Sequence, residues 1–461
     1  MIPVVTVEEM RAIDAEAHAS VSEESLIARA GAAVAVRALR LLGGAYGRRV
    51  AVVVGKGNNG ADGRVAAARL RRRGAVVWVV EAADAPATLG VRPPVDLVVD
   101  AAYGTGFRGS YDAPRAPAGA RVLAIDLPSG VDADTGEAPG AAVRADRTVT
   151  FAALKPGLLQ GGGVACSGSV EVADIGIGFP PPQALLVEDA DIALVPARPR
   201  QVNKWTTAVG VAAGSIGMEG SAILCTRGAM AAGAGMIRLG SPGDPAAAWP
   251  TEAVRMHLPA TGWAGAFVEA TAKCKAVVIG PGLGTEASTA EEIRSAVAAV
   301  AVPLVIDADG LRALGDVAGA RALLGRRDAP SILTPHDGEY ARLAGEAPGD
   351  DRLAAARRLA RGTGAVVLLK GPLTAVAAPD EAAPDVLLAA AGGPALATAG
   401  SGDVLSGVIG AFCARGLPAL EAAALAAHVH GRAASLGPSQ GLVAGDLPEL
   451  VAELLSEDAR V

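Results

Sequence analysis

Short, nearly unbroken apolar runs alternate along this chain with longer Ala-rich stretches whose apolar positions recur at helical spacing. The runs RVAVVV (49–54), AVVWVV (75–80), DLVVD (96–100), VLAID (122–126) and TVTF (148–151) form one series. A second comprises TAVGVAA (207–213), AVVIG (276–280), PLVIDAD (303–309), SILT (331–334) and AVVLLK (365–370). Strands without polar alternation are buried on both faces, as in parallel sheets covered by helices. Two such series predict two α/β domains. The division is expected in PARPRQVNKWT (196–206), where proline, charge and lost periodicity coincide, giving domains 1–200 and 205–461. The PPP at 180–182 and the Ala/Pro stretch at 377–385 are expected to be loops, not boundaries. RLRRRG (69–74) falls where a helix should end, and cations stabilise that end, so it predicts a solvated helix C-terminus.

Composition narrows the class. The 461 residues are 51% apolar but only 3% aromatic, which suits small-residue packing of helices on sheets. A formal charge of -7 supplies no basic excess for nucleic acid. Cys166, Cys225, Cys274 and Cys413 are scattered without a CxxC, so neither a disulfide framework nor a zinc site is expected. The start, MIPVVTVEEMRAIDAEAHAS, has no signal-peptide core, and the apolar runs are too short to span a membrane. These features predict a cytoplasmic protein with no membrane or nucleic-acid partner.

Candidate chemistry gathers at strand ends. VVVGKGNNGADGRVAAARLRRRG reads as strand, glycine loop and helix, superficially like a dinucleotide fingerprint with Glu81 as its acid. Asn58, Asn59 and Asp62 do not belong to that fingerprint. Asp100 before AAYGTGFRGS, Asp126 in AIDLPSGVDADTG and Lys155 in LKPG also lie at strand ends. Open parallel sheets bind ligands beyond those ends. Converging charges there are costly to bury without partners, so a site explains four in register better than turns and caps do.

NNGADG, DAAYGTGFRG and DLPSGVDADTG resemble the motifs of the NAD(P)HX epimerase family, the YjeF N-terminal domain. Ala61 replaces the middle glycine of the usual NNGGDG. The resemblance implies a potassium ion on Asn59, Asp100 and Ser129, with backbone carbonyls. It implies a substrate site from Asn58, Asn59, Gly60, Ala61, Asp62, Gly104, Thr105, Gly106, Phe107, Arg108, Gly109 and Ser110, with Asp126 as acid–base residue.

In the second series, glycine loops precede helices in GSIGMEGSA (214–222), GPGLG (280–284), IDADGL (306–311), LTPHDGE (333–339), LLKGPLT (368–374) and AGSGDVLSG (399–407). Such loops offer backbone anion sites. Asp403 stands among residues with almost no side chain at the mouth of an apolar helix, either as an N-cap or as a base. The set resembles the ADP- or ATP-dependent NAD(P)HX dehydratase, a ribokinase-like domain, over 205–455. That resemblance implies Asp403 as base, with Ser221, Gly284, His336 and Asp403 contacting the hydrate. Lys370, Gly371, Pro372, Leu373, Thr374 and Gly402 would contact the nucleotide, with magnesium expected beside it. Ser221 and Asp337 stand where the family usually has Ala and Pro. His428 and His430 are expected to be packing or surface residues.

The expected fold is therefore α/β: an N-terminal Rossmann-like three-layer sandwich and a C-terminal ribokinase-like parallel-sheet domain. The expected function is repair of hydrated nicotinamide cofactors: epimerisation of R- and S-NAD(P)HX, then dehydration of the S form with ADP or ATP. A homo-oligomer is the expected assembly. Two rivals stand beside it. One is a ribokinase-like kinase for a small alcohol, which the Asp403 motif alone admits. The other is an N-terminal domain that binds nucleotide or protein without catalysis.

Overall fold

The computed structural model describes residues 1–89, 94–197 and 202–458. The chain divides into two compact units, Ile2–Pro182 and Gln183–Val461, with Met1 packed on the latter.

The first unit is built on a six-stranded sheet. Its order is Val76–Glu81, Arg49–Val54, Leu97–Ala101, Arg121–Ile125, Arg147–Phe151, Ser169–Ala173. Every pairing is parallel. Successive side chains alternate between faces. Val50, Val52, Val54, Leu97 and Val99 pack in one core with Val34, Ala38, Ala66 and Leu70 from helices Glu23–Leu42 and Asn58–Arg72. Ala51, Val53, Val98 and Val122 face the other way, against irregular chain carrying Leu89, Val95, Tyr111 and Ala116. The third layer over these central strands is thus loop, not helix. The helix Asn58–Arg72 ends where RLRRRG predicted, with Arg69, Arg71 and Arg72 in its last turn.

The second unit holds strands in the order Ala184–Leu186, Val386–Ala389, Thr374–Ala377, Val366–Leu369, Ser331–Leu333, Leu304–Ile306, Ala276–Ile279, Ala208–Ala212, Met236–Pro242, Ala253–Leu258. Pairing is parallel from Val366–Leu369 to Ala253–Leu258. Thr374–Ala377 is antiparallel to both its neighbours. The expected second strand series appears in full. Thr374–Ala377 and Val386–Ala389 were not foreseen, because the first runs on directly from the LLKGPLT loop and the second follows the Ala/Pro tract. Met236–Pro242 was missed because Arg, Gly and Pro interrupt its apolar run.

The boundary falls after Pro182, earlier than the 196–206 tract, of which residues 198–201 lie outside the described residues. The reason is local pairing. Ala184–Leu186 adds in parallel to Val386–Ala389, and Val187, Ile192 and Val195 enter the second unit's core. Asp189 holds His428 Nε2 at 2.9 Å and Arg432 Nε at 2.8 Å. The PPP tract, expected inside a domain, therefore marks the edge of one.

Comparing chains that begin at Gln183 and at Trp205 tests this boundary. The shorter chain loses one edge strand and three core side chains, each worth about 1.5–3 kcal/mol when buried. Its Tm should be lower by about 10 °C or more; equal melting temperatures would place 183–197 outside the second folding unit.

Candidate functional site

In the first unit, the loop after Arg49–Val54 enters helix Asn58–Arg72 through Gly57, which provides no side-chain cap. The first N–H groups of that helix are therefore open to a ligand. Backbone crowding fixes this entry. A Cβ at Gly60 would sit 2.0 Å from the Gly55 carbonyl oxygen, whereas Ala61 is accommodated on the half-buried side of the turn.

That helix mouth borders a cavity of about 940 Å³. Asn58, Asn59, Asp62, Gly104, Thr105, Gly106, Phe107, Asp126 and Lys155 line it. Arg108, Gly109 and Ser110 do not. Arg108 turns to Asp132 at 3.4 Å, and Ser110 Oγ donates to the Pro139 carbonyl at 3.3 Å. Glu81 also lines the cavity, but Arg64 Nη2 reaches its carboxylate at 2.8 Å.

Asp126 sits at φ 66°, a left-handed conformation uncommon outside glycine. Its carboxylate accepts from Thr105 N at 2.9 Å and Thr150 Oγ1 at 3.1 Å, and meets Lys155 Nζ at 2.8 Å. Lys155 is 1% exposed and also donates to Thr150 Oγ1 and the Phe151 carbonyl. Burial alone would push Asp126 up. The adjacent ammonium and these hydrogen bonds outweigh it and hold the carboxyl below its usual value. Asp62 has the opposite balance: burial, then the nearby Asp126 charge, raises it to about 8. One cavity thus holds an ionised and a protonated carboxyl near neutral pH.

Asp100 is buried at the end of Leu97–Ala101 and bound to Ser129 through both N (2.7 Å) and Oγ (2.6 Å). Burial lifts it to about 6 against those bonds. Asn59 keeps both amide atoms shielded from solvent without a hydrogen-bond partner among the described residues. Of the three residues expected to share an ion, Asp100 and Ser129 are joined directly, and Asn59 offers an unsatisfied carbonyl oxygen.

In the second unit, helix Ser401–Ala414 begins after Gly400, at φ 86°, with no side-chain cap. Asp403 is therefore not the N-cap. It lies one turn in, raised to about 6 by burial, then by Asp307, against a hydrogen bond from Ser221 and the Lys370 charge. Lys370 Nζ donates to Asp307 Oδ1 at 2.6 Å, and Ser406 Oγ to Asp307 Oδ2 at 2.6 Å. A Cβ at Gly402 would stand 3.2 Å from Lys370 Nζ, so that lysine reaches the helix mouth.

The remaining expected residues surround this centre unequally. Gly284 N donates to Asp309 Oδ2 at 2.8 Å. His336 caps helix Asp337–Ala344, its Nδ1 accepting from Gly338 N at 3.0 Å. Asp337 binds Arg352 Nη1 at 2.9 Å, and Arg352 also donates to the Lys370 and Leu373 carbonyls. The charge at 337 thereby braces the KGPL loop. Leu373 is a core side chain at 1% exposure, which leaves only its backbone for a ligand, whereas Gly371 and Pro372 are exposed. His428 and His430 are buried, as packing residues. Asp307, Ser406 and Thr150 were not singled out from sequence. IDADGL and AGSGDVLSG contained the first two, but nothing in spacing says that the three side chains of Asp307, Ser406 and Lys370 meet.

Comparison with known proteins divides the chain at the same two sites. The family model described as NAD(P)H-hydrate dehydratase matches residues 209–456, and that of the YjeF-related protein N-terminus matches 23–88 and 80–157. The bifunctional NAD(P)H-hydrate repair enzyme of Mycobacterium leprae is 40% identical over 96% of this chain and 96% of its own. That of Moorella thermoacetica is 36% identical over 88% of this chain and 87% of its own. A ribokinase-like superfamily protein of Enterococcus faecalis shares the fold with a TM-score of 0.52 and 20% identity, over 60% of this chain and 96% of that one. The uncapped helix mouths, their buried carboxylates and these matches along nearly the whole length agree: the chain belongs to the bifunctional NAD(P)H-hydrate repair enzyme family.

Proposed function

We propose that the chain repairs hydrated nicotinamide cofactors at two separate centres. The first unit interconverts R- and S-NAD(P)HX, and the second dehydrates the S form to NAD(P)H at the expense of ADP or ATP. The observation that carries this is the pair of uncapped, glycine-flanked helix mouths, each facing a buried carboxylate with a lysine at hand. The decisive experiment supplies the whole protein with both NADHX epimers and follows NADH absorbance with and without nucleotide. Recovery without nucleotide, or of the S epimer only, would overturn one half or the other.

In the first cavity Asn58 and the open N–H groups of the helix would bind the phosphates of the hydrate. Epimerisation requires the ring hydroxyl to leave as water and return on the other face. Asp62, protonated near neutral pH, can give the leaving oxygen a proton. Asp126, held ionised by Lys155, can take one from the returning water. Asn59, Asp100 and Ser129 would hold a potassium ion, since neutral and carboxylate oxygens suit an alkali cation and the Asn59 amide lacks a partner among the described residues. Bound there, the ion would supply a fixed positive charge for the phosphates.

In the second centre Asp403 takes the proton of the ring hydroxyl as its oxygen attacks the terminal phosphorus of the nucleotide. The N–H groups at Gly400 to Gly402 and Lys370 offset the charge that develops on the transferred phosphoryl group. The ring nitrogen's lone pair then expels phosphate, and loss of the neighbouring ring proton restores the dihydropyridine. Asp307 touches neither reactant; it positions Lys370. Magnesium would enter on the nucleotide phosphates, its usual mode of binding. Four buried cysteines, all unpaired, suit a reducing compartment such as the cytoplasm.

Asp403→Asn should abolish nucleotide-dependent NADH recovery and leave epimerisation intact. In the wild type kcat/KM for dehydration should fall as pH drops through about 6, because a base must be ionised to act. Asp307→Asn removes a neighbouring negative charge, so the acid limb should move to lower pH while kcat falls. A limb that stays in place would deny the coupling of these two carboxylates.

Lys155→Met removes the ammonium that keeps Asp126 ionised. Epimerase activity should fall by about a hundredfold or more, with its acid limb displaced to higher pH. Wild-type epimerisation in potassium with a divalent chelator should be undiminished. Its loss on chelation, with rescue by a divalent ion, would refute the potassium assignment.

A further inference from the structure

A second cavity lies in the first unit, on the face of the sheet that carries no helix. It encloses about 380 Å³ over Val53, Val98 and Val122 and shares no lining residue with the larger cavity. Small ligands are commonly held in spaces of roughly this size or larger. The irregular third layer walls it with Tyr111, Arg115 and Arg144.

Apart from the Asp100 carboxylate, its polar side chains are donors. The Tyr111 hydroxyl is shielded from solvent and has no hydrogen-bond partner among the described residues. A buried phenol usually has one. Among the described residues neither Arg115 nor Arg144 enters an ion pair through its guanidinium. Asp100, the carboxylate on the lining and one of the residues proposed to hold potassium, accepts from Ser129 and from Ala102 N. Two cationic forks and a phenol O–H therefore remain as donors around an apolar floor.

We propose that this cavity binds a small monocarboxylate with a flat or branched apolar body. The body would rest on the three valines, and the carboxylate would accept from the arginines. Tyr111 would supply a neutral donor to the same end. A purely apolar guest would leave the phenol unsatisfied, and an inorganic anion would leave the valines uncovered.

The position suggests what occupancy does. Tyr111 packs edge-on to Tyr103 with centroids 5.0 Å apart, and Tyr103 lies 5.2 Å from Phe107. Tyr103 and Phe107 line the larger cavity. A guest against Tyr111 thus reaches the hydrate loop through two aromatic contacts. This consequence rests on the epimerase reading; the binding itself does not.

Fluorine NMR of para-fluorophenylacetate with the full-length protein tests the site directly. Saturable line broadening is expected, weakened at least about tenfold in the double variant Arg115→Gln, Arg144→Gln, the usual worth of hydrogen bonds to charged groups. The neutral para-fluorophenethyl alcohol should also bind at least about tenfold more weakly. Tyr111→Phe keeps the wall and should lower affinity without abolishing binding. No saturable broadening, equal affinity in the double variant, or equal binding of the alcohol overturns the proposal. The same probe should change the epimerase KM in the wild type and not in the double variant. An unchanged wild-type KM, with binding intact, overturns the aromatic coupling. A protein that epimerises nothing overturns the epimerase reading, and the titration still decides the site.

Discussion

Much of the first unit's chemistry depends on one buried ion pair. Lys155 and Asp126 meet at 2.8 Å, the lysine fully buried and the carboxylate buried at the cavity wall. Breaking such a pair by removing one partner typically costs about 3–5 kcal/mol, since the other charge is stranded. The pair is tolerated because the remaining polar valences are filled: Thr150 bridges the two groups, and backbone carbonyls take the other ammonium protons. In return the loops bearing these residues are fixed to one another. Thr105 N is drawn to Asp126, which aligns the glycine loop along the cavity wall.

The second unit reaches a related arrangement with different connections. Its lysine is bound to Asp307, not to the carboxylate assigned as base, and Ser406 holds the other oxygen of Asp307 from inside the helix that carries Asp403. Small residues make this possible. Gly407 lies so close to the neighbouring helix Glu219–Ala231 that a Cβ would fall 2.0 Å from the Cys225 carbonyl oxygen. Close helix packing seats the helix mouth against the strand ends. The Ala- and Gly-rich composition has its physical purpose here, not in flexibility.

Much of this was legible in the chain because buried parallel strands leave an unmistakable apolar pattern and because glycine loops mark their ends. Both series of expected strands were found, as were Asp126 and Asp403 at strand end and helix mouth. What escaped had little local signal. Ala184–Leu186 is three residues long, and its partner Val386–Ala389 lies about 200 residues away in sequence. Asp307 and Ser406 are 99 residues apart, and only the fold joins them. The loop layer over Val53 and Val98 was expected to be helical by analogy of fold class, a level at which irregular chain leaves no trace.

The two centres tune their carboxyls in opposite directions, and the difference follows from where each lysine is bound. Asp126 owns its ammonium and stays below its usual value despite burial. Its charge then helps keep Asp62 protonated up to about 8. Asp403 shares a lysine already bound to Asp307, so burial and a neighbouring negative charge prevail and lift it to about 6. A base must be ionised to accept a proton, yet must hold that proton once accepted, which favours a value near the working pH. Interposing Asp307 draws the ammonium away from Asp403 and, on the proposed reading, holds it at the helix mouth where a phosphate would enter. The same two residue types, differently connected, thus give two carboxyls of opposite charge state in one unit and a single carboxyl lifted to about 6 in the other, as the proposed acid–base pair and the proposed base require.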